Sequence, residues 1–206
     1  MELVERVIAS GVPTSGERKE VTVLFADLVG FTPLSAGLDP SVLVGVVNGY
    51  FERMSRAIAS HNGHLSTLIG DGILALFGAV EANPWHTDDA VRAALAMRAE
   101  LAAYNAELAS GGLPKLQLSI GLHRGTGIAG LVGSAELMQF TVVGTVVSVA
   151  ARVQALTREH GVDVLLTADV QRALDPRFAL RALPPSELKG FSEPVATFAL
   201  LEQLVA

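Results

Sequence analysis

Cysteine is absent from the 206 residues. That excludes disulfides and thiolate metal sites, and it fits a reducing compartment. Charge is also scarce. Asp, Glu, Lys and Arg make up 17% of the chain, and the net charge is -6. This argues against a nucleic-acid binder that works through a basic surface. No apolar run approaches the roughly 20 residues of a bilayer span. The opening stretch, MELVERVIASGVPTSGERKE, has acids among its first residues and no apolar core of signal-peptide length. Internal repeats, low-complexity tracts and long charge runs are missing too. A cytoplasmic protein is expected, with no membrane segment and no nucleic-acid partner. What the chain does have is apolar content: 50% hydrophobic residues and a mean hydropathy of +0.43. Such a chain folds around a real core. It also has more apolar surface than one monomer buries, which hints at a subunit interface.

Residues 1–17 read as an N-terminal segment and linker, ahead of one domain over 18–203. Leu3, Val4, Val7 and Ile8 suit one face of a short docking helix or a frayed terminus, and both readings stay open. The linker itself spans 11–20. Val21–Phe25 is a buried strand ending at Asp27. A helix follows from Asp39-Pro40, with Leu43, Val46, Val47, Tyr50, Phe51, Met54 and Ile58 at helical spacing, and Asn62-Gly63 stops it. Two strand-like pieces then flank Gly70-Asp71-Gly72, a tight hairpin. Pro84–Leu108 is a second helix and Leu116–Leu122 a strand, with Ile128–Val132 a candidate for another. Thr145–His160 is a third helix. The tail adds a strand at Val162–Leu166, a short helix near Asp169–Leu174 and a strand around Ala196–Leu201. The order βαββαβ predicts an α+β fold. Its core is ferredoxin-like, an antiparallel sheet with both helices on one face, and a further helix and strands follow.

Asp27 and Asp71 stand at the ends of strands that this plan makes neighbours. Alone, Asp71 is an ordinary hairpin residue and Asp27 an ordinary turn residue. Together they form two close carboxylates, which need a proton or cation between them. Oxygen ligands completed by water and phosphate suit magnesium, and two such ions neutralise a polyphosphate and activate an attacking oxygen. The loop LVGFT after Asp27 has Gly30 and the Thr32 hydroxyl, and its successive amides suit phosphate oxygens. On the third helix, Thr145, Ser148 and Arg152 form one polar stripe. A guanidinium there suits negative charge developing on phosphorus, although a lone helical arginine is more often a surface ion-pair residue. None of the five histidines pairs with carboxylates at metal spacing. The motifs GxxxxGK[ST], HExxH and GxSxG are absent, which argues against a P-loop NTPase, a zincin and an α/β-hydrolase.

Five ordered blocks, VTVLFADLVGFT, HLSTLIGDGILALFG, LQLSIGLHRGTGIAG, FTVVGTVVSVAARVQ and LKGFSEPV, resemble the class III nucleotidyl cyclase catalytic domain of the bacterial kind. Members convert ATP to cyclic AMP, or GTP to cyclic GMP, and release pyrophosphate. The resemblance implies two Mg2+ or Mn2+ ions per site, held by Asp27, Asp71 and the backbone of Leu28. It implies a triphosphate cradle of backbone groups through Gly30, Phe31 and Thr32, and an Arg152 that stabilises the transition state. Lys189 is implied near the phosphates. The base-reading positions fall on Thr67 and Thr141, and the ribose-positioning residue on Ser148.

Two positions depart from the family pattern. Thr67 replaces the usual adenine-reading lysine, and Ser148 replaces an asparagine. Thr141 stands where many members have aspartate and many bacterial ones threonine or serine, and neither Thr67 nor Thr141 matches the glutamate and cysteine of guanylyl cyclases. A threonine hydroxyl donates or accepts, so Thr67 does not choose between ATP and GTP. The family's site lies between two subunits, which implies a head-to-tail homodimer or a heterodimer with a better-equipped partner. Two other readings remain: a weak or inactive homologue that binds nucleotide or a partner in a regulatory role, and an interaction domain with no nucleotide role.

Overall fold

A computed structural model describes residues 16–134, 137–188 and 194–203 of the chain. Strand β1 (Glu17–Leu28) leads into a short helix α1 (Phe31–Gly37) and then α2 (Pro40–Ala59). The hairpin β2 (His64–Ile69) and β3 (Gly72–Phe77) follows. Helix α3 (His86–Ser110), strand β4 (Leu118–Gly133), strand β5 (Met138–Val143) and helix α4 (Thr145–His160) come next. The tail is β6 (Val164–Thr167), α5 (Ala168–Ala173), β7 (Phe178–Ala182) and β8 (Thr197–Gln203).

The sheet order is β2-β3-β1-β4-β6-β8-β7, with β5 paired to β4 off this path. Its first four strands pair antiparallel, as the ferredoxin-like plan requires. The tail makes the sheet mixed, because β6 runs parallel to β4. Alternation along the strands buries apolar side chains on both faces of the sheet. Leu24, Ala26, Ile73, Ala75, Ile120 and Leu122 face α2 and α3. Val21, Val23, Leu74 and Leu76 face the other way, against Phe140, Val142 and the α4 residues Val146 and Ala150.

Helix α2 begins where expected. Asp39 accepts from Ser41 N at 2.9 Å, and Pro40 sits at the first helical position, where its missing N–H costs nothing.

Other expectations need correcting. The linker ends earlier than residue 20, because β4 is long enough to pair β1 back to Glu17, opposite Ala129. The stretch after Asp27 is only partly loop, since Phe31 and Thr32 already belong to α1. Ile128–Val132 is no separate strand but the far half of β4. The glycines along this half serve packing: at Gly127 a Cβ would lie 2.3 Å from Val142 Cγ1. Glycine there lets β5 and α4 pack close rather than turning the chain. Strands β5 and β7 have no counterpart in the sequence reading.

Gly121 sets how α4 rides on the sheet. A Cβ there would lie 2.2 Å from Gln154 N and 2.4 Å from Ala150 O. Gly121→Ala must push the helix backbone away. It is expected to destabilise the fold by about 3 kcal/mol or more, read as a lowered urea midpoint at unchanged slope.

Candidate active site

The end of β1 and the β2–β3 turn meet because β1 and β3 are paired up to Ala26 and Ile73. One residue further on, Asp27 passes beyond the β1–β3 ladder while still paired with Ser119 of β4, beside the turn that carries Asp71. Gly70 makes that turn with φ of 63°, a conformation that favours glycine. The Asp71 carboxylate stands close enough to Asp27 to accept a hydrogen bond from its protonated form. Leu28 N donates to Asp71 Oδ2 at 3.2 Å, and Arg158 Nη2 lies 3.4 Å from Asp27 Oδ2. Burial and then the neighbouring Asp71 carboxylate raise the Asp27 pKa from 3.8 to about 6, against a lowering pull from Arg158.

This pair fits a hard divalent cation. Its donors are oxygens, and its mutual repulsion is what a cation relieves. Among the described residues no group of three or more His, Cys, Asp or Glu gathers at one place. Water, main-chain carbonyl and substrate phosphate oxygens would have to complete the shell, as magnesium prefers. Directly after the pair, Gly30 takes φ of 71° and starts α1. This leaves Gly30 and Thr32 exposed and Phe31 half-buried. Beneath the site, Tyr50 is fully buried and its hydroxyl has no hydrogen-bond partner among the described residues. Helical spacing marked Tyr50 only as a core residue.

Thr67 and Thr141 form a second group, where β2 approaches β5. Ser66 Oγ lies 3.0 Å from both Phe140 O and Thr141 Oγ1. Gln139 Nε2 donates to Ser66 O and to Thr67 Oγ1. Gln139 was missed in the sequence. Its position two residues before Thr141 puts both on the same face of a strand, but only once β5 is recognised as a strand.

Helix α4 carries the third group. Ser148 is exposed and Arg152 half-buried. Val146, Val149, Ala150 and Val153 are buried, as the expected stripe requires. Lys189 lies outside the described residues. Among the described residues, no helix is long and apolar enough to cross a membrane.

The comparisons with known proteins bear on the family and the fold. The profile of the adenylate and guanylate cyclase catalytic domain matches residues 14–202. Adenylate cyclase 1 of Rhizobium meliloti (strain 1021) is 34% identical over 193 residues, covering 93% of this chain and 29% of that protein. The adenylate cyclase of Anabaena cylindrica is 35% identical over 187 residues, covering 87% of this chain and 36% of that protein. The chain thus spans about a third of the length of these curated relatives. The crystal structure of the guanylyl cyclase Cya2 superposes with a TM-score of 0.86 at 30% identity, covering 91% of this chain and 94% of that one.

The family match, these relatives and the shared fold together define a nucleotidyl cyclase domain. The chain belongs to the adenylate and guanylate cyclase catalytic domain family.

Proposed function

We propose that the domain converts a nucleoside triphosphate, ATP in first place, to its 3′,5′-cyclic nucleotide and pyrophosphate at the interface of a head-to-tail homodimer. The observation that carries this reading is the contact between Asp27 and Asp71, with its raised Asp27 pKa. In the reaction the ribose 3′-oxygen bonds to the α-phosphorus, the α–β phosphoanhydride bond breaks, and the 3′-hydroxyl proton is lost. Asp27, Asp71 and the Leu28 backbone would hold two Mg2+ or Mn2+ ions. When bound, these would supply neutralisation of the polyphosphate and a more acidic 3′-hydroxyl. Backbone amides through Gly30–Thr32 would cradle the phosphates. Arg152 meets the charge that develops at the α-phosphate. Ser148 orients the ribose, and Lys189 is assigned to the phosphates by resemblance alone.

A split site is supported from within one chain. Ser148 and Arg152 share one face of α4, while Gln154 and Arg158 share another about 120° away. The second face looks at Asp27, and the first points away from it, as a site shared with another subunit requires. Ile128, Val132, Leu137, Met138 and Val143 are exposed apolar side chains on or beside β4 and β5. They supply the surface such a dimer would cover.

The test is direct. Purified protein with manganese and ATP or GTP should yield the cyclic nucleotide by chromatography; no product at high protein concentration rejects the reading. Gln139→Ala, next to Thr67, should change the ATP-to-GTP ratio of kcat/KM by about tenfold, as expected when a polar base reader is lost. Ser148→Asn should raise kcat about tenfold through better ribose placement. An unchanged kcat would show that Ser148 does not limit the rate.

A further inference from the structure

Helix α4 grips Asp27 at two points. Gln154, 6% exposed, donates from Nε2 to Ser119 Oγ at 2.5 Å, and the fully buried Ser119 donates in turn to the Asp27 carbonyl at 3.1 Å. Arg158, one turn along the same face, reaches the Asp27 carboxylate. At Gly121 the helix backbone presses on β4 so closely that no side chain fits between them. The contact therefore transmits displacement rather than absorbing it. Arg158 also borders a cleft of about 610 Å3 with Gln117, Thr157 and Gly161, which gives its guanidinium room to leave Asp27.

We propose that Ser119, Gln154 and Arg158 are positioning residues that link the two active sites of the dimer. Ligand drawn against Ser148 and Arg152 in one site moves α4, and the link carries that movement to Asp27 in the other. The inference rests on the split-site reading above. Neither Ser119 nor Gln154 touches substrate on that reading. Their hydrogen bonds are buried inside one subunit, yet they join parts that belong to different sites.

The discriminating change is the double variant Ser119→Ala/Gln154→Met. It removes both side-chain partners together, which avoids leaving the buried Gln154 amide without its Ser119 acceptor, as Ser119→Ala alone would. The whole protein is titrated calorimetrically with an α,β-methylene analogue of ATP in the presence of Mn2+. In the wild type the two stepwise constants should depart from the statistical ratio for independent sites by at least about fivefold. In the double variant the ratio should return to the statistical value. Should that variant fail to fold, Arg158→Gln cuts only the carboxylate arm and should lower the departure at least about twofold. Independent sites in the wild type, or undiminished coupling in the folded variant, overturn the link. Asp27→Asn separates this failure from that of the site itself. If Mn2+ binds the nucleotide-free protein equally well with and without the Asp27 carboxylate, the metal-site reading fails and the link falls with it.

Discussion

Asp27→Asn is expected to abolish cyclic-nucleotide formation, a loss of about a thousandfold or more, while making the metal-free protein more stable. The two effects have one cause. Asp27 ionises in the fold near 6 instead of 3.8, because it is partly buried and faces Asp71. A carboxyl whose folded pKa is raised holds its proton more tightly in the native state than in the unfolded one. Stability therefore falls as pH rises from about 4 to about 6, and the full cost persists above that. Asparagine removes it. At pH 7.5 without metal the variant should unfold later than wild type, by on the order of 1 kcal/mol once partial solvent exposure is allowed for. At pH 3 the difference should vanish, because the wild-type carboxyl is then protonated in both states.

Added Mn2+ should reverse the order. A ligand that binds only the native state stabilises it by mass action, so wild type should gain thermal stability with Mn2+ and Asp27→Asn should not. Scanning calorimetry with and without Mn2+ at pH 7.5 checks the crossover. A variant that keeps full cyclase activity, or that responds to Mn2+ as wild type does, contradicts the assignment of Asp27.

The juxtaposition behind this prediction was legible in the sequence for a simple reason. Asp27 ends an apolar strand, and Asp71 sits in a Gly-Asp-Gly turn. Local patterns gave both elements, and the βαββαβ order made them neighbours. The Gln139–Thr67 contact was not legible, because β5 hides behind the glycine-rich second half of β4. Gly125, Gly127 and Gly130 resemble turn signals until the structure places Val142 and Val146 against Gly127. The Gln154–Ser119–Asp27 chain was hidden differently. A buried glutamine and serine look like unremarkable polar positions within apolar runs. Their partners lie 35 and 92 residues away in sequence, and no local periodicity reports a contact of that range. Pattern thus reached what regular elements dictate, and missed what polar groups do once those elements are packed.

Mixing two inactive proteins should restore activity. Arg152→Ala removes the guanidinium and should leave a homodimer with two crippled sites, slowed by about a hundredfold or more. Asp27→Asn/Asp71→Asn leaves a homodimer with no metal carboxylates. If Asp27 and Arg152 of one chain serve different sites, a heterodimer of the two variants has one doubly damaged site and one intact site. Random reassortment at equal amounts makes half the dimers mixed, so the mixture should recover about a quarter of wild-type activity. A site built within one chain predicts the opposite, since every site would then carry one of the lesions and the mixture would stay as inactive as its parts. The orientation of α4 favours recovery. Its Gln154 and Arg158 face looks at Asp27, and the turn of the helix carries Ser148 and Arg152 about 120° away from that face. The same mixture separates assembly from chemistry. Activity should rise with total protein at a fixed ratio as dimers form, and a variant that cannot dimerise should rescue neither partner.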